Sequence, residues 1–129
     1  RIVARYVKKG GTFLLVESHP IMGIYDDETE DLKISYSYWH SDEPQTWDED
    51  GTYAEEGAHV ENKRSYEWQH TVADVLNALI GAGLRIEAVT EYPELPWQFV
   101  KKAVKDPVRG WVIPGDPLPQ MWSVKATKP

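Results

Sequence analysis

A chain of 129 residues with 41% apolar and 27% charged residues has the composition of one globular domain with a modest core. Its formal net charge of −7 speaks against a phosphate-binding surface, which needs clustered Lys and Arg; the small group Lys101, Lys102, Lys105 and Arg109 reads as solvated surface. The absence of cysteine excludes disulfides, thiolate metal sites and cysteine nucleophiles and fits a cytoplasmic location, and no apolar run reaches the ~20 residues of a membrane helix.

Residues 1–8 carry apolar side chains at 2, 3, 6 and 7, a helical spacing. Lys8 and Lys9 suit the carboxyl end of that helix, and Gly10-Gly11 supply its left-handed stop. The helix opens in mid-pattern without a capping residue, so the stretch is expected to be cut from a longer protein. Thr12–Val16 is a continuous run of β-formers, expected to be buried on both faces as a central parallel strand.

Residues 18–69 change character, with many aromatics and acids and few aliphatic runs. Leu32–Tyr38 alternates with period two, which predicts a strand with Leu32, Ile34, Tyr36 and Tyr38 on one face. Ala58–Trp68 alternates less cleanly, with Val60, Asn62, Arg64, Tyr66 and Trp68 on one face. Ser41–Gly57 between them is acidic and turn-rich, and Trp47 and Tyr53 on it are expected to be exposed. The section reads as an inserted antiparallel lid of two or three strands.

Thr71–Ala82 is the clearest helix: Thr71 is an N-cap residue, Asp74 follows in the first turn, and Val72, Val75, Leu76, Leu79 and Ile80 form one apolar stripe. Gly83 ends it, and Leu84–Thr90 reads as a strand. Six prolines from Pro93 to Pro119 break the tail into short pieces, Trp97–Val104 is expected to form one or two helical turns, and Met121–Thr127 alternates as a final strand.

Three segments carry a resemblance. Val7–Glu17 (VKKGGTFLLVE) is similar to the L-K-P-G-G entry into the fifth strand of class I S-adenosylmethionine-dependent methyltransferases, with Lys9 in place of the usual proline. Leu79–Ile86 (LIGAGLRI) is similar to that family's turn from helix to sixth strand, and Trp122–Pro129 (WSVKATKP) resembles its closing antiparallel strand. The aromatic insertion, with Tyr38-Trp39-His40, Gly51-Thr52-Tyr53 and Tyr66–His70, resembles a bacterial small-molecule subgroup. The resemblance implies an α/β fold: the C-terminal half of a Rossmann-like methyltransferase sheet, holding the equivalents of the fifth, sixth and antiparallel seventh strands. It divides the single partial domain 1–129 into a sheet portion, 1–17 and 71–129, and an inserted lid, 18–70.

The same resemblance implies S-adenosylmethionine as the cofactor of the intact protein. The family binds it with a glycine-rich loop after the first strand and an acid ending the second, and this chain has neither. Gly10-Gly11 precedes a strand and Gly81-Ala82-Gly83 ends a helix, so no cofactor-binding residue is assigned and the chain alone is expected to bind no cofactor and to be inactive.

Ligands of parallel α/β sheets lie beyond the carboxyl ends of the strands. Glu17-Ser18-His19-Pro20 stands at such an end, which makes His19 a candidate base or acceptor-orienting donor and Glu17 its partner. A strand-end loop whose His caps a backbone group is the plainer alternative. Tyr38, Trp39 and His40 end the first insertion strand and Tyr66, Trp68 and His70 the second; paired, they would form an aromatic substrate wall or a small satellite core. Glu67-x-x-His70 lacks a second ligand pair at metal spacing, and the acids at 26–31 and 48–50 lack a calcium loop's glycine, so no metal is expected. The expected partner is a small-molecule methyl acceptor, with no nucleic acid and no membrane. A half-sheet leaves an edge and a bare face, so the chain is expected to form homo-oligomers. The alternative is a non-enzymatic ligand-binding or oligomerisation module built on the aromatic insertion.

Overall fold

The computed structural model describes residues 1–26, 29–48, 59 and 61–129. Among these, α1 (Ile2–Tyr6) leads into β1 (Thr12–Ser18) and a 3-10 helix (Pro20–Ile24). Next come β2 (Gln45–Asp48), β3 (Arg64–Glu67), α2 (Val72–Gly81) and β4 (Arg85–Tyr92). The tail holds β5 (Glu94–Leu95), β6 (Val104–Asp106), β7 (Gly110–Val112) and β8 (Met121–Thr127). No helix of the described residues is long and apolar enough to cross a membrane.

The architecture is mixed α/β with antiparallel pairing in each of its three sheets. The main sheet has the order β1-β8-β4. Both outer strands run antiparallel to β8, so β1 and β4 are parallel to each other and their carboxyl ends share one rim. The register aligns Phe13, Ala126 and Ile86 across the sheet, then Leu15, Val124 and Val89. On that face Leu79, Leu84, Trp122, Val124 and Ala126 form the core, packed by Val3 and Ala4 of α1 and Val72, Val75 and Leu76 of α2.

The two helices are sited by local chemistry. Thr71 caps α2 in a capping box: its hydroxyl accepts the Asp74 N–H at 3.1 Å, and its own N–H donates to Asp74 Oδ2 at 2.9 Å. Gly83, at φ +83°, lets the chain turn out of the helix into β4, with its N–H and that of Leu84 on the carbonyls of Ile80 and Leu79. The short α1 is held at its carboxyl end by Lys128, whose Nζ donates to the Ala4 and Val7 carbonyls at 2.6 and 3.0 Å.

β1 departs from the expectation of a central parallel strand buried on both faces: among the described residues it is an outer strand paired only with antiparallel β8. Phe13 and Leu15 turn toward the helices, whereas Leu14 and Val16 are 62% and 53% exposed. Both helices pack on one side of the sheet, and no described layer covers the other.

The insertion and tail also differ from their predicted elements. Leu32–Tyr38 is not a strand: one bridge joins Tyr25 and Ile34, and the alternation is spent instead on Leu32 reaching a second core and Tyr36 meeting Trp47, with Ile34 left exposed. β3 pairs with β2, which lies in the stretch read as loop. Ala58 and Val60 of the second predicted strand, and Tyr53 with its Gly51-Thr52-Tyr53 motif, lie outside the described residues. Trp97–Val104 forms no helical turn of the α type. Val100 and Ala103 are buried beside Met22 and Ile113 in the second core, and Gln98 Nε2 donates to the Ala103 carbonyl at 3.1 Å. The proline-rich tail thus builds a three-stranded sheet, β5-β7-β6.

Candidate functional site

The chain between β1 and α2 leaves from the carboxyl rim of the main sheet and returns to it, because α2 begins where β1 ends its run. A cavity of about 380 Å³ lies there. The end of β1 supplies Leu15, Glu17 and Ser18, the 3-10 helix His19, Pro20 and Gly23, and α2 Val75. Its aromatic walls are Tyr25, Tyr36, Trp47, Trp68, Phe99 and Trp122.

His19 is buried, and both ring nitrogens are engaged. Nδ1 accepts the Ile21 N–H at 3.1 Å, capping the 3-10 helix. The other nitrogen then carries the hydrogen, and Nε2 lies 3.0 Å from Glu91 Oε1 as its donor. The partner of His19 is therefore Glu91 on β4, not Glu17. Glu17 and Glu91 both stand opposite Trp122 of β8, one from each parallel strand, so they flank that indole on the core face at the rim. With both nitrogens bonded, work by His19 as a base would require release of one contact.

The aromatic candidates divide. Trp68 and His70 line the cavity. Tyr38, Trp39, His40 and Tyr66 are not among its lining residues; Tyr38 packs edge-on to Trp39 at 5.3 Å, and Trp39 and Tyr66 are more than half exposed. His40 reaches the cavity rim indirectly, stacked on His70 with centroids 4.6 Å apart and its Nδ1 donating to the Gln69 carbonyl at 2.9 Å. The imidazoles stand near Asp74, whose carboxyl is held below its ordinary value first by the Thr71 N–H, then by the Thr71 hydroxyl, with His70 and His40 adding smaller contributions. Among the described residues no group of three or more His, Cys, Asp or Glu is placed to hold a metal ion.

Trp47 departs from its expected exposure. It lies in β2 and packs edge-on to Tyr36 at 5.4 Å; its Nε1 is buried without a hydrogen-bond partner among the described residues. The hairpin that carries it is clamped by Arg64, whose Nε and Nη2 donate to the two carboxylate oxygens of Asp48 at 3.0 Å each, an interaction that lowers the Asp48 pKa. Gln69 ties the hairpin's end to the 3-10 helix through a 2.6 Å bond from Nε2 to the Pro20 carbonyl.

Glu91 and Gln120 were not singled out by the sequence, and Trp47 was read there as exposed rather than as a cavity residue. Gln120 is wholly buried. It donates from Nε2 to Pro93 and Trp111 carbonyls at 2.6 and 3.1 Å, donates its N–H to Tyr92 O and accepts the His19 N–H, tying the ends of β1, β4, β7 and β8 together. Only Glu91 had a readable signal: as an acid late in a second strand parallel to β1, it mirrors Glu17.

No protein-family model and no curated protein matches the chain. Solved structures do. A candidate S-adenosylmethionine-dependent methyltransferase from Listeria monocytogenes aligns with 98% of this chain and 51% of its own at 20% identity, with a TM-score of 0.52. An S-adenosylmethionine-dependent methyltransferase from Mesorhizobium loti aligns over 96% of this chain and 54% of its own at 18% identity and a TM-score of 0.41. The chain spans about half the length of each. At 20% identity the Listeria match speaks to architecture: the mixed α/β fold of this chain is that of about half of an S-adenosylmethionine-dependent methyltransferase structure, as the sequence resemblance implied.

Proposed function

We propose that the chain is the C-terminal, substrate-side part of a class I S-adenosylmethionine-dependent methyltransferase acting on a small molecule. The observation that carries this reading is the main sheet: an antiparallel closing strand, β8, lies between two strands parallel to each other, which corresponds to β1, β4 and β8 as the fifth, sixth and seventh strands. Residues 18–70 then form the lid, and the cavity beneath them receives the methyl acceptor.

The chain's own residues do not fit the cofactor. Among the described residues no glycine-rich loop leads from the carboxyl end of a parallel strand into a helix; Gly10 and Gly11 precede β1, and Gly81 and Gly83 close α2. The cofactor site belongs to the remainder of the protein in this reading. What this chain contributes is positioning: Glu17 at the cavity, His19 fixed by Glu91, and aromatic walls that exclude water from a bound acceptor.

Titration calorimetry of the 129-residue chain with S-adenosylmethionine tests the division of labour. The expected result is no saturable heat up to about 1 mM, a standard free energy weaker than about −4 kcal/mol. Micromolar binding would overturn it. A gene with a start codon directly before Arg1 would instead favour a self-standing ligand-binding module, a reading supported by the aromatic-lined cavity that this chain carries.

A further inference from the structure

We propose that the cavity recognises a compact organic cation, an alkylated ammonium group, and this rests on reading the cavity as the small-molecule site. Six aromatic side chains among the described residues line a space of about 380 Å³, at the lower end of the roughly 300–1,000 Å³ of small-molecule sites. Among the described residues two acidic side chains, Glu17 from β1 and Glu67 from β3, share that lining, and no Lys or Arg does. Neither Glu17 nor Glu67 forms an ion pair among the described residues.

Charge and surface together decide the ligand class. An anion would meet two like charges with no side-chain cation to offset them. A neutral apolar ligand would strip water from both carboxylates without replacing their hydrogen bonds. A cation satisfies the acids and the aromatic faces at once, because the negative face of an aromatic ring attracts positive charge within about 6 Å. The fold uses that attraction elsewhere: Lys105 Nζ stands 5.5 Å from the Trp111 ring centroid, outside the cavity. An alkylated ammonium fits better than a metal ion, since the cavity offers wide apolar walls rather than a cluster of oxygen and nitrogen ligands. The net charge of −7 adds long-range attraction for cations.

Tryptophan fluorescence of the 129-residue chain, titrated with choline and with 3,3-dimethylbutan-1-ol, tests the inference. The two probes share shape and hydroxyl; a carbon replaces the charged nitrogen in the second. The expected result is saturable binding of choline, tighter than its isostere by about tenfold or more. Glu17→Gln and Glu67→Gln, both on exposed side chains, should each weaken choline severalfold without weakening the isostere, with unaltered thermal melts confirming the fold. Equal affinities for the two probes would overturn the cation inference while leaving the cavity a small-molecule site. No saturable response to either probe would overturn the cation inference and the small-molecule reading together.

Discussion

Replacing His19 separates its two bonds and tests whether the residue is built to position its neighbours. His19→Ala removes the acceptor for the Ile21 N–H, a helix-cap loss of about 1 kcal/mol. It also removes the bond to Glu91, which is worth about 0.5–1 kcal/mol because the Glu91 side chain is 57% exposed and water screens it. The ring itself is 7% exposed, and its lost burial adds about 1 kcal/mol. The sum is ~2.5–3 kcal/mol. For a chain of this size that lowers the melting temperature by about 8–15 °C. His19→Asn keeps a short acceptor at the cap position but cannot reach Glu91, so it should recover about 1 kcal/mol. Urea unfolding followed by tryptophan emission reads both variants, with equal m-values required for the comparison. If His19→Asn were as damaging as His19→Ala, or His19→Ala lay within about 0.5 kcal/mol of the parent chain, the capping argument would fail.

Three further outcomes follow from single residues. Gly110 stands at φ +94°, and a Cβ there would lie 2.6 Å from the Leu95 carbonyl oxygen, so Gly110→Ala should cost about 2–3 kcal/mol. Gly81, with open space around it at the end of α2, should gain about 0.5 kcal/mol on the same change; equal effects in chemical denaturation would refute this reading. Asp74 contributes stability above its ordinary carboxylate value, lost as pH falls through its lowered folded value, so Asp74→Asn should melt below the parent near pH 6, with the gap closing as the pH is taken below the ordinary carboxylate range. A gap independent of pH would contradict the capping-box account.

The elements of the main sheet were legible because each has a strong local cause. Val72, Val75, Leu76 and Leu79, framed by Thr71 and Gly83, face the core as the stripe predicts, whereas Ile80 at its margin is 57% exposed; the alternation of Met121–Thr127 sits where the pattern puts it. Order and orientation were less legible, since pairing of β8 with both β1 and β4 is a long-range choice that no local spacing encodes. Leu14 and Val16 look like core residues because composition carries no record of which layer is present to cover them. In the insertion, the acids around Trp47 and the proline breaks in the tail gave turn signals strong enough to hide β2 and β5–β7. Those strands are two to four residues long, too short for a period to show. The Glu91 partner of His19 comes from 72 residues away, beyond any motif.

The placement of the cavity follows from topology more than from any single motif. β1 and β4 are parallel only because β8 lies between them and opposes both. Their carboxyl ends must therefore reach one rim, and that brings Glu17 and Glu91 to either side of Trp122. Any segment joining β1 to α2 starts at that rim and comes back to it. The described aromatics of the insertion supply walls where aliphatic residues are scarce: Tyr36, Trp47 and Trp68 line the cavity from the insertion, whereas Leu15, Trp122 and Val75 meet them from the sheet and helix below. The acidic side chains divide the same way, Glu17 below and Glu67 above. A cation bound between them would bridge the main sheet and the β2–β3 pair.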